Sequence, residues 1–327
     1  MPYNKKLITL AGITGALVII YVLSFVLSPQ TRASRAARWT PLDGKTALVA
    51  AAIELEGIGR ERVTLIKEGE AWFVSTEEGA EEGAQKKPAR SDRVDDLLSA
   101  LTREDFYPVR SRSASSWEKF GVSENPASKI VVKDAGKEKL LELDLGEVSG
   151  NEIYLRRAGE DTVRSTADIF SAFVSGGGAS WRDTRLFPDH DKQQLTVESV
   201  QRLRVAPSAP EEPFSIVREK GAWQFDGSAE AVDSAAVTAA IRFILDCSGD
   251  DFIPDLAPFA NQFSGSAGKI ILEIGDGTAH TLTLGPKFEG KQSARVSSSP
   301  YIYGLADWTV SRLFRGKSEY VATGNGE

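Results

Sequence analysis

A single uncharged stretch near the amino terminus constrains the organisation of the whole chain. Leu7–Leu27 contains no charged residue, whereas Lys5 and Lys6 precede it and Ser28 and Pro29 follow it. A helix of this length rises roughly 30 Å, which is enough to cross the hydrocarbon core of a bilayer. The sequence therefore predicts a transmembrane anchor at residues 7–27 that ties a water-soluble body to a membrane.

The alternative to an anchor is a cleavable signal peptide, which has an apolar region of about 7–15 residues and a small-x-small cleavage site. The stretch here is longer, and the best cleavage candidate, Ser34-Arg35-Ala36, lies well beyond it. Basic residues flank both ends, so their count does not set the orientation, and large domains translocate largely regardless of charge. We expect an uncleaved anchor, with residues 1–6 in the cytoplasm and the body on the other side.

The composition of the chain limits its partners. The 327 residues are 41% hydrophobic and carry a net charge of −7, with a pI near 5.2. This acidic balance argues against binding to nucleic acid. The single cysteine, Cys247, cannot form an internal disulfide, which is typical of a bacterial envelope protein or a cytosolic one.

The body repeats a series of short motifs in the same order and at a nearly constant offset. The matched pairs are Glu70–Val74 with Gly221–Phe225, Asp105–Pro108 with Asp251–Pro254, Lys129–Val132 with Lys269–Leu272, Leu143–Gly146 with Leu282–Gly285, and Ala167–Ile169 with Ala306–Trp308. Alternating apolar residues predict strands in most of these segments, and apolar residues at helical spacing predict a helix in each copy. We infer an α+β fold with two tandem copies of a β-rich module.

The predicted domain boundaries follow from this repeat. The first module covers residues 47–175 and the second covers 195–320, with a Gly- and Ser-containing linker at 176–194. Residues 28–46 are interpreted as a stalk and residues 321–327 as a tail. Ser75–Arg90 has no apolar periodicity and is interpreted as a solvated loop.

The repeated residues have structural interpretations. Trp72 and Trp223 follow glycine turns in strands and are expected to fill the cores. The Asp-Phe-x-Pro motif is interpreted as a helix stop with Phe106 and Phe252 buried, and the alternative is a shared recognition edge. Four aspartates stand where helices are expected to begin and can accept backbone N–H bonds there: Asp92, Asp168, Asp233 and Asp307.

No catalytic, cofactor or metal signature survives a check of its spacing. A phosphate loop around Gly268 and Lys269 would need glycine at position 263 and serine or threonine at 270, where Phe263 and Ile270 stand. The two histidines are far apart in sequence, which argues against a zinc site. A Ser-His-Asp triad stays open, although nothing points to one. We predict no catalytic residues, no metal and no cofactor.

Two groups of residues remain as candidate contact sites. Trp181, Arg182 and Arg185 offer an aromatic ring and two guanidinium groups to an anionic ligand. The simpler interpretation is a strap between the modules that packs Trp181 and Leu186. In the anchor, small residues spaced by four allow close approach of a second helix: Ala11, Gly12, Gly15 and Ala16.

With the anchor and the repeated module in view, the chain resembles domain-of-unknown-function family 4340, a bacterial family of membrane proteins. The segments that carry the resemblance are Trp72, the helix at Asp92, Phe120–Val122, Leu143–Gly146 and Glu152–Arg156, together with their counterparts in the second copy. The second copy departs at residues 259–261. The resemblance implies an association with ABC-type transport systems of the gliding-motility kind, and it brings no catalytic residues.

The leading hypothesis is a non-enzymatic accessory or scaffold protein, with one helix in the bacterial inner membrane and its body in the periplasm. It would serve an ABC-type transport or envelope-assembly complex, with transporter subunits or a second copy of the chain as partners. The alternative is an envelope binding module for glycan or peptide that uses a cleft between the modules, which a polar-rimmed aromatic cleft would favour. An enzyme with a dispersed site is the least supported hypothesis.

Overall fold

The computed structural model describes residues 12–22, 24, 37–57, 62–76, 86–188, 190, 194–207, 211–253, 263 and 268–322. The chain divides into two compact units, residues 1–182 and 183–327. Both are mixed α/β units with antiparallel β-sheets and few helices, so the predicted fold class is confirmed at this level.

The first unit contains a nine-stranded sheet and a separate two-stranded pair. Its strands are β1 (Arg38–Trp39), β2 (Ala50–Gly57), β3 (Val63–Glu68), β4 (Ala71–Thr76), β5 (Lys87–Pro88), β6 (Asp105–Phe106), β7 (Val109–Ser111), β8 (Ser128–Asp134), β9 (Lys139–Ser149), β10 (Glu152–Arg157) and β11 (Val163–Ala167). The large sheet has the spatial order β5-β4-β3-β2-β8-β9-β10-β11-β7, and β1 pairs with β6.

The second unit contains an eight-stranded sheet. Its strands are β12 (Val200–Ala206), β13 (Phe214–Glu219), β14 (Ala222–Phe225), β15 (Asp251–Ile253), β16 (Gly268–Ile274), β17 (Ala279–Phe288), β18 (Lys291–Val296) and β19 (Ile302–Leu305). They lie in the order β14-β13-β12-β16-β17-β18-β19-β15. From β14 to β19, this order follows that of β4, β3, β2, β8, β9, β10 and β11 in the first sheet.

Each sheet buries one face against helices of its own unit. The helices are α1 (Gly44–Ala47), α2 (Ser91–Thr102) and α3 (Ser171–Val174) in the first unit, and α4 (Ser234–Asp246) and α5 (Asp307–Leu313) in the second. Two separate hydrophobic cores result, and Trp72 and Trp223, which are 6% and 9% exposed, lie in them as predicted.

The aspartates at the helix starts behave differently from one another. Asp233 caps α4 as predicted, because its carboxylate accepts from the backbone N–H groups of Ala235 and Ala236. Asp92 is not a cap: Arg90 precedes α2 without a side-chain cap, and Asp92 forms an ion pair with it. Asp307 is the first residue of α5 and pairs with Lys287 at 2.7 Å.

Asp168 lies just before α3, and its carboxylate accepts from the backbone N–H of Ser171 at 3.1 Å. It therefore binds a free N–H at this helix start, as the sequence predicts, although the residue directly before the helix is Phe170.

The Asp-Phe-x-Pro motif buries a different residue from the one predicted. Phe106 is 55% exposed, whereas Tyr107 beside it is completely buried. In the second unit Phe252 is partly buried against Tyr301 and Tyr303, and Ile253 is buried. The motif forms short strands after each helix, and alternation along a strand turns Tyr107 toward the core when Phe106 faces outward.

Two segments that looked solvated contribute to the first core. Lys87–Pro88 pairs with β4, and buried Ala89 donates its N–H to the Trp72 carbonyl at 2.8 Å. In the segment interpreted as a stalk, Leu42 is fully buried and its N–H bonds the Leu101 carbonyl at 2.9 Å. In each segment, a backbone hydrogen bond and one buried apolar side chain, Ala89 or Leu42, fix the chain against the core despite its polar composition.

Residues 12–22 of the predicted anchor are helical, and their side chains are exposed. Among the residues that the structure describes, no helix combines the length and the apolar character needed to span a membrane. The other residues of Leu7–Leu27, apart from Ser24, lie outside the described part of the chain.

Candidate binding site

Three of the segments that carry the family resemblance meet at one end of the first sheet: Phe120–Val122, Leu143–Gly146 and Glu152–Arg156. A 3-10 turn, Glu118–Phe120, ends at Gly121, whose φ of 66° is in the left-handed region. The carbonyl of Phe120 lies so close to Gly146 of β9 that a Cβ on Gly146 would overlap with it. A glycine at 146 is therefore required for the turn to pack against the strand.

A buried arginine joins the same turn to the sheet. Arg156 of β10 forms an ion pair with buried Asp144 of β9 at 2.5 Å, and its Nε donates to the Val122 carbonyl at 3.0 Å. Its guanidinium also lies 3.9 Å from the centroid of the Trp117 ring. These contacts hold the side chain internally, so Arg156 positions the turn and does not face a ligand.

Lys129 of β8 and Glu142 of β9 lie beside the Asp144–Arg156 ion pair and form a charge network with it. Lys129 lies 3.6 Å from Asp144 and 2.9 Å from Glu142. Burial raises the pKa of Asp144, whereas Arg156 and Lys129 act in the opposite direction. Hydrogen bonds from Lys139 and Lys129 lower the pKa of Glu142 to about 2, so this carboxylate is ionised at neutral pH.

The turn and the β9–β10 hairpin enclose two clefts. The larger, about 510 Å³, is lined by Glu118, Lys119, Phe120, Gly121, Glu147, Val148, Ser149 and Tyr154. The rings of Phe120 and Tyr154 pack with centroids 4.8 Å apart, and Lys119 lies over Phe120 at 5.6 Å. Two carboxylates, one ammonium and two hydroxyls therefore surround an aromatic pair.

The smaller cleft, about 250 Å³, is lined by Gly57, Ala127, Ser128, Gly146, Glu147, Val148, Ile153, Ser171, Val174 and Ser175. Apart from Glu147, these residues are small or apolar. Ile153 lines this cleft and Tyr154 lines the larger one, and adjacent strand residues point to opposite faces of a sheet. The two clefts therefore lie on opposite faces of the hairpin and share only Glu147 and Val148.

Apart from Gly57, the residues that line the two clefts lie within a segment that matches a known family. A family model described as "Domain of unknown function (DUF4340)" matches residues 82–262, more than half of the 327 residues. The chain belongs to this family. The resemblance drawn from the sequence motifs is thereby confirmed.

Other comparisons add little to this family assignment. No curated protein matches the chain. A solved structure of a candidate DNA polymerase III beta subunit from Eubacterium rectale aligns over 76% of this chain and 60% of that chain, with 9% identity and a TM-score of 0.14. A TM-score this low supports no structural inference.

In this family member, the predicted ligand strap is built into the fold. Trp181 is 1% exposed, and the guanidinium of Arg93 lies 4.7 Å from its ring centroid. Arg182 bridges to Ala89 through the backbone. Arg185 bonds Asp183 through two nitrogens, at 2.8 and 2.5 Å. The indole therefore lies in the first core.

The predicted helix contact is described only in part. Gly12 and Gly15 have no atom within 4 Å of a Cβ built on them, and Ala16 is exposed. Ala11 lies outside the described residues. The contact stays a prediction.

Among the described residues there is no cluster of three or more His, Cys, Asp or Glu side chains that could hold a metal ion. His190 bonds the Leu195 carbonyl through Nδ1 at 3.0 Å. His280 is buried in β17, and burial lowers its pKa. Cys247 is also buried, which raises the pKa of its thiol to about 12 and leaves it a weak nucleophile.

Sequence reasoning placed Phe120–Val122 and Glu152–Arg156 in the family resemblance but did not assign them to a site. The signal in the sequence was a charged residue inside each apolar strand segment, Asp144 in β9 and Arg156 in β10. Pairing the two required the register of the hairpin, which opposes Asp144 to Arg156. The number of residues between Asp144 and Arg156 does not give that register, because the pairing shifts between Ile153 and Leu155.

Proposed function

We propose that this DUF4340 member is a non-enzymatic accessory protein that holds a partner through its sheet-rich body. The observation that carries the proposal is the paired clefts on opposite faces of the β9–β10 hairpin end, formed by the family-like segments. Aromatic and apolar walls are typical of binding clefts. The buried Arg156–Asp144 ion pair holds the turn that forms one wall, because Arg156 also donates to the Val122 carbonyl. The chain serves an ABC-type transport or envelope-assembly complex in this proposal.

The proposal includes a single-pass anchor in a bacterial inner membrane, with the body in the periplasm. The uncharged Leu7–Leu27 stretch supports it. It also includes a tandem duplication. The support for duplication is the matching strand order in the two sheets, together with the repeated motifs.

Copurification of the full-length chain from its native membrane tests the accessory role. Detergent extraction followed by affinity purification is expected to retain subunits of an ABC-type transporter. Gly12→Ile with Gly15→Ile is expected to reduce that yield if the helix contributes, because bulk at these positions prevents close helix approach. Leu17→Ile, which keeps the helix apolar without changing the small residues, is the matched control. Purification of the chain without any membrane partner, under conditions that preserve the transporter, contradicts the role.

A second function, an envelope binding module for glycan or peptide, is favoured by one specific observation. The larger cleft combines the Phe120 and Tyr154 rings with a polar rim of Glu118, Lys119 and Glu147. It lies within the first unit, whereas the sequence led us to expect a cleft between the modules. Tyr154→Ala is expected to weaken binding in either case, because Tyr154 lines this cleft. Saturable binding of a soluble glycan or peptide by a chain that does not copurify with a transporter favours the second function.

A further inference from the structure

The end of β9 exposes a strand edge that no strand of the described chain covers. Ser149 and Glu152 close the β9–β10 hairpin, and Val148 opposes Ile153 in the next pair. In a hairpin closed by a two-residue turn, the main chain of this second pair points away from the partner strand. On that outer side, the register of β8 with β9 stops at Ser128 and Leu145, short of Val148. No strand of the described chain therefore pairs with the N–H and C=O of Val148 on that side.

This edge lies between the two clefts. Val148, which is 44% exposed, lines both of them, as does Glu147. A strand added along the edge would place a residue opposite Val148 on the same face as Ile153, in the apolar cleft. Its two neighbours would point to the other face, toward Phe120 and Tyr154. Main-chain pairing with alternating side-chain pockets is the pattern of β-strand addition.

The second unit has an equivalent overhang, in which Lys287 pairs with Gln292 as Val148 pairs with Ile153 and a proline stands directly before Lys287. The register of β16 with β17 begins at Gly268 and Leu284, so Gly285–Phe288 extends beyond it. Pro286 follows Gly285 as Glu147 follows Gly146, and a proline has no N–H to donate. Proline is one of the residues that prevent pairing at a strand edge.

We propose that the Val148 edge binds an extended segment of a partner protein by β-strand addition. The residue opposite Val148 is apolar, because its cleft is lined by Ile153, Val174 and Gly146. Its neighbours are basic, because Glu118 and Glu147 line the other cleft, where Lys119 is the one cation among the lining residues. The proposal names the ligand of the binding module described above and rests on it.

The test uses the full-length chain in lipid nanodiscs and a fluorescent, acetylated heptapeptide of alternating arginine and valine. Saturable binding is expected by fluorescence anisotropy. Val148→Pro removes the outward N–H and is expected to weaken binding about tenfold, the effect of losing a main-chain hydrogen bond with its pairing geometry. Val148→Thr keeps the N–H and is expected to bind within about twofold of the wild type. Lys287→Pro, at the equivalent place in the second unit, is expected to have no effect.

A second peptide separates main-chain pairing from charge attraction to an acidic protein. The same heptapeptide with N-methylated valines has the same charge and is expected to lose binding. Equal binding of both peptides overturns the proposal, as does unchanged affinity in a Val148→Pro variant with wild-type circular dichroism. No saturation at millimolar peptide also overturns it. If an N-acetylglucosamine hexamer binds and displaces the peptide, the site is assigned to a glycan and the proposal is overturned. The accessory role is tested separately, by copurification with the transporter.

Discussion

Two neighbouring residues of one motif, Phe106 and Tyr107, show how burial at a single position follows from strand geometry. Both are large aromatic residues after the same helix, yet Phe106 is mostly exposed and Tyr107 is fully buried. The Tyr107 ring packs edge-on against Trp39, with centroids 5.3 Å apart. Its hydroxyl is buried without a hydrogen-bond partner among the described residues, and burial raises its pKa to about 12. The ring, and not the hydroxyl, is therefore the stabilising part.

This contrast predicts the stability of three variants. Tyr107→Ala is expected to lower the free energy of unfolding by about 3–5 kcal/mol, because it leaves a cavity in the core. Phe106→Ala is expected to change it by less than about 1 kcal/mol, since an exposed ring loses little on truncation. Tyr107→Phe is expected to be neutral or slightly stabilising. Urea denaturation of the three variants measures these differences, and a large loss in Tyr107→Phe would mean that the hydroxyl has a partner.

At the scale of elements, the β9–β10 hairpin owes its shape to the turn that packs on it. The periodicity of Lys129–Val132 and Leu143–Gly146 predicted β8 and β9, because alternation alone specifies a half-buried strand. It did not predict that β9 continues to Ser149, beyond the end of β8. The extension is formed by the pairing of Val148 and Ser149 with Ile153 and Glu152 of β10, and the register shift next to this pairing is not contained in sequence periodicity. The site was missed for the same reason.

Gly146→Ala tests the dependence of the hairpin on the contact between Gly146 and the Phe120 carbonyl. The added Cβ would overlap with the Phe120 carbonyl, which is backbone and moves only with the whole turn. We expect a loss of about 1–3 kcal/mol, the usual cost of overpacking, together with weaker ligand binding. Gly44→Ala is the matched control, because Gly44 lies in α1 with no atom within 4 Å of its Cβ position. Equal stability of the two variants would show that the turn shifts freely.

At the scale of the whole molecule, each unit has its own sheet and its own core. The repeated motifs predicted two cores, since a period this long gives each copy enough apolar residues to fold separately. They did not predict where the first core ends. Composition suggested a linker at 176–194, within which the simpler interpretation had Trp181 and Leu186 packed; Trp181 lies in the first core and Leu186 in the second. The sequence did not tell which core Trp181 enters, and so it placed the end of the first module at residue 175.

Two shortened chains test this division of the molecule. Residues 37–182 are expected to unfold in a single cooperative transition when expressed alone, because their strand pairing and core are internal. Residues 37–175, which end at the boundary predicted from the repeat, lack Trp181. This deletion removes a buried indole, the cation–π contact with Arg93 at 4.7 Å and the bond from the Arg90 N–H to the Trp181 carbonyl at 2.8 Å. Loss of the indole alone is expected to cost about 3–5 kcal/mol.

Urea denaturation followed by circular dichroism compares the two chains, and Trp181→Ala within 37–182 is the matched control. The free energy of unfolding of this variant is expected to be close to that of 37–175, because both chains lose the Trp181 indole. Any remaining difference measures the backbone segment 176–182, which only 37–175 lacks. If 37–182 fails to unfold cooperatively while the full-length chain does, the first unit needs the second one to fold. If 37–175 is as stable as 37–182, the segment that carries Trp181 is a linker after all, and the first core ends where the repeat does.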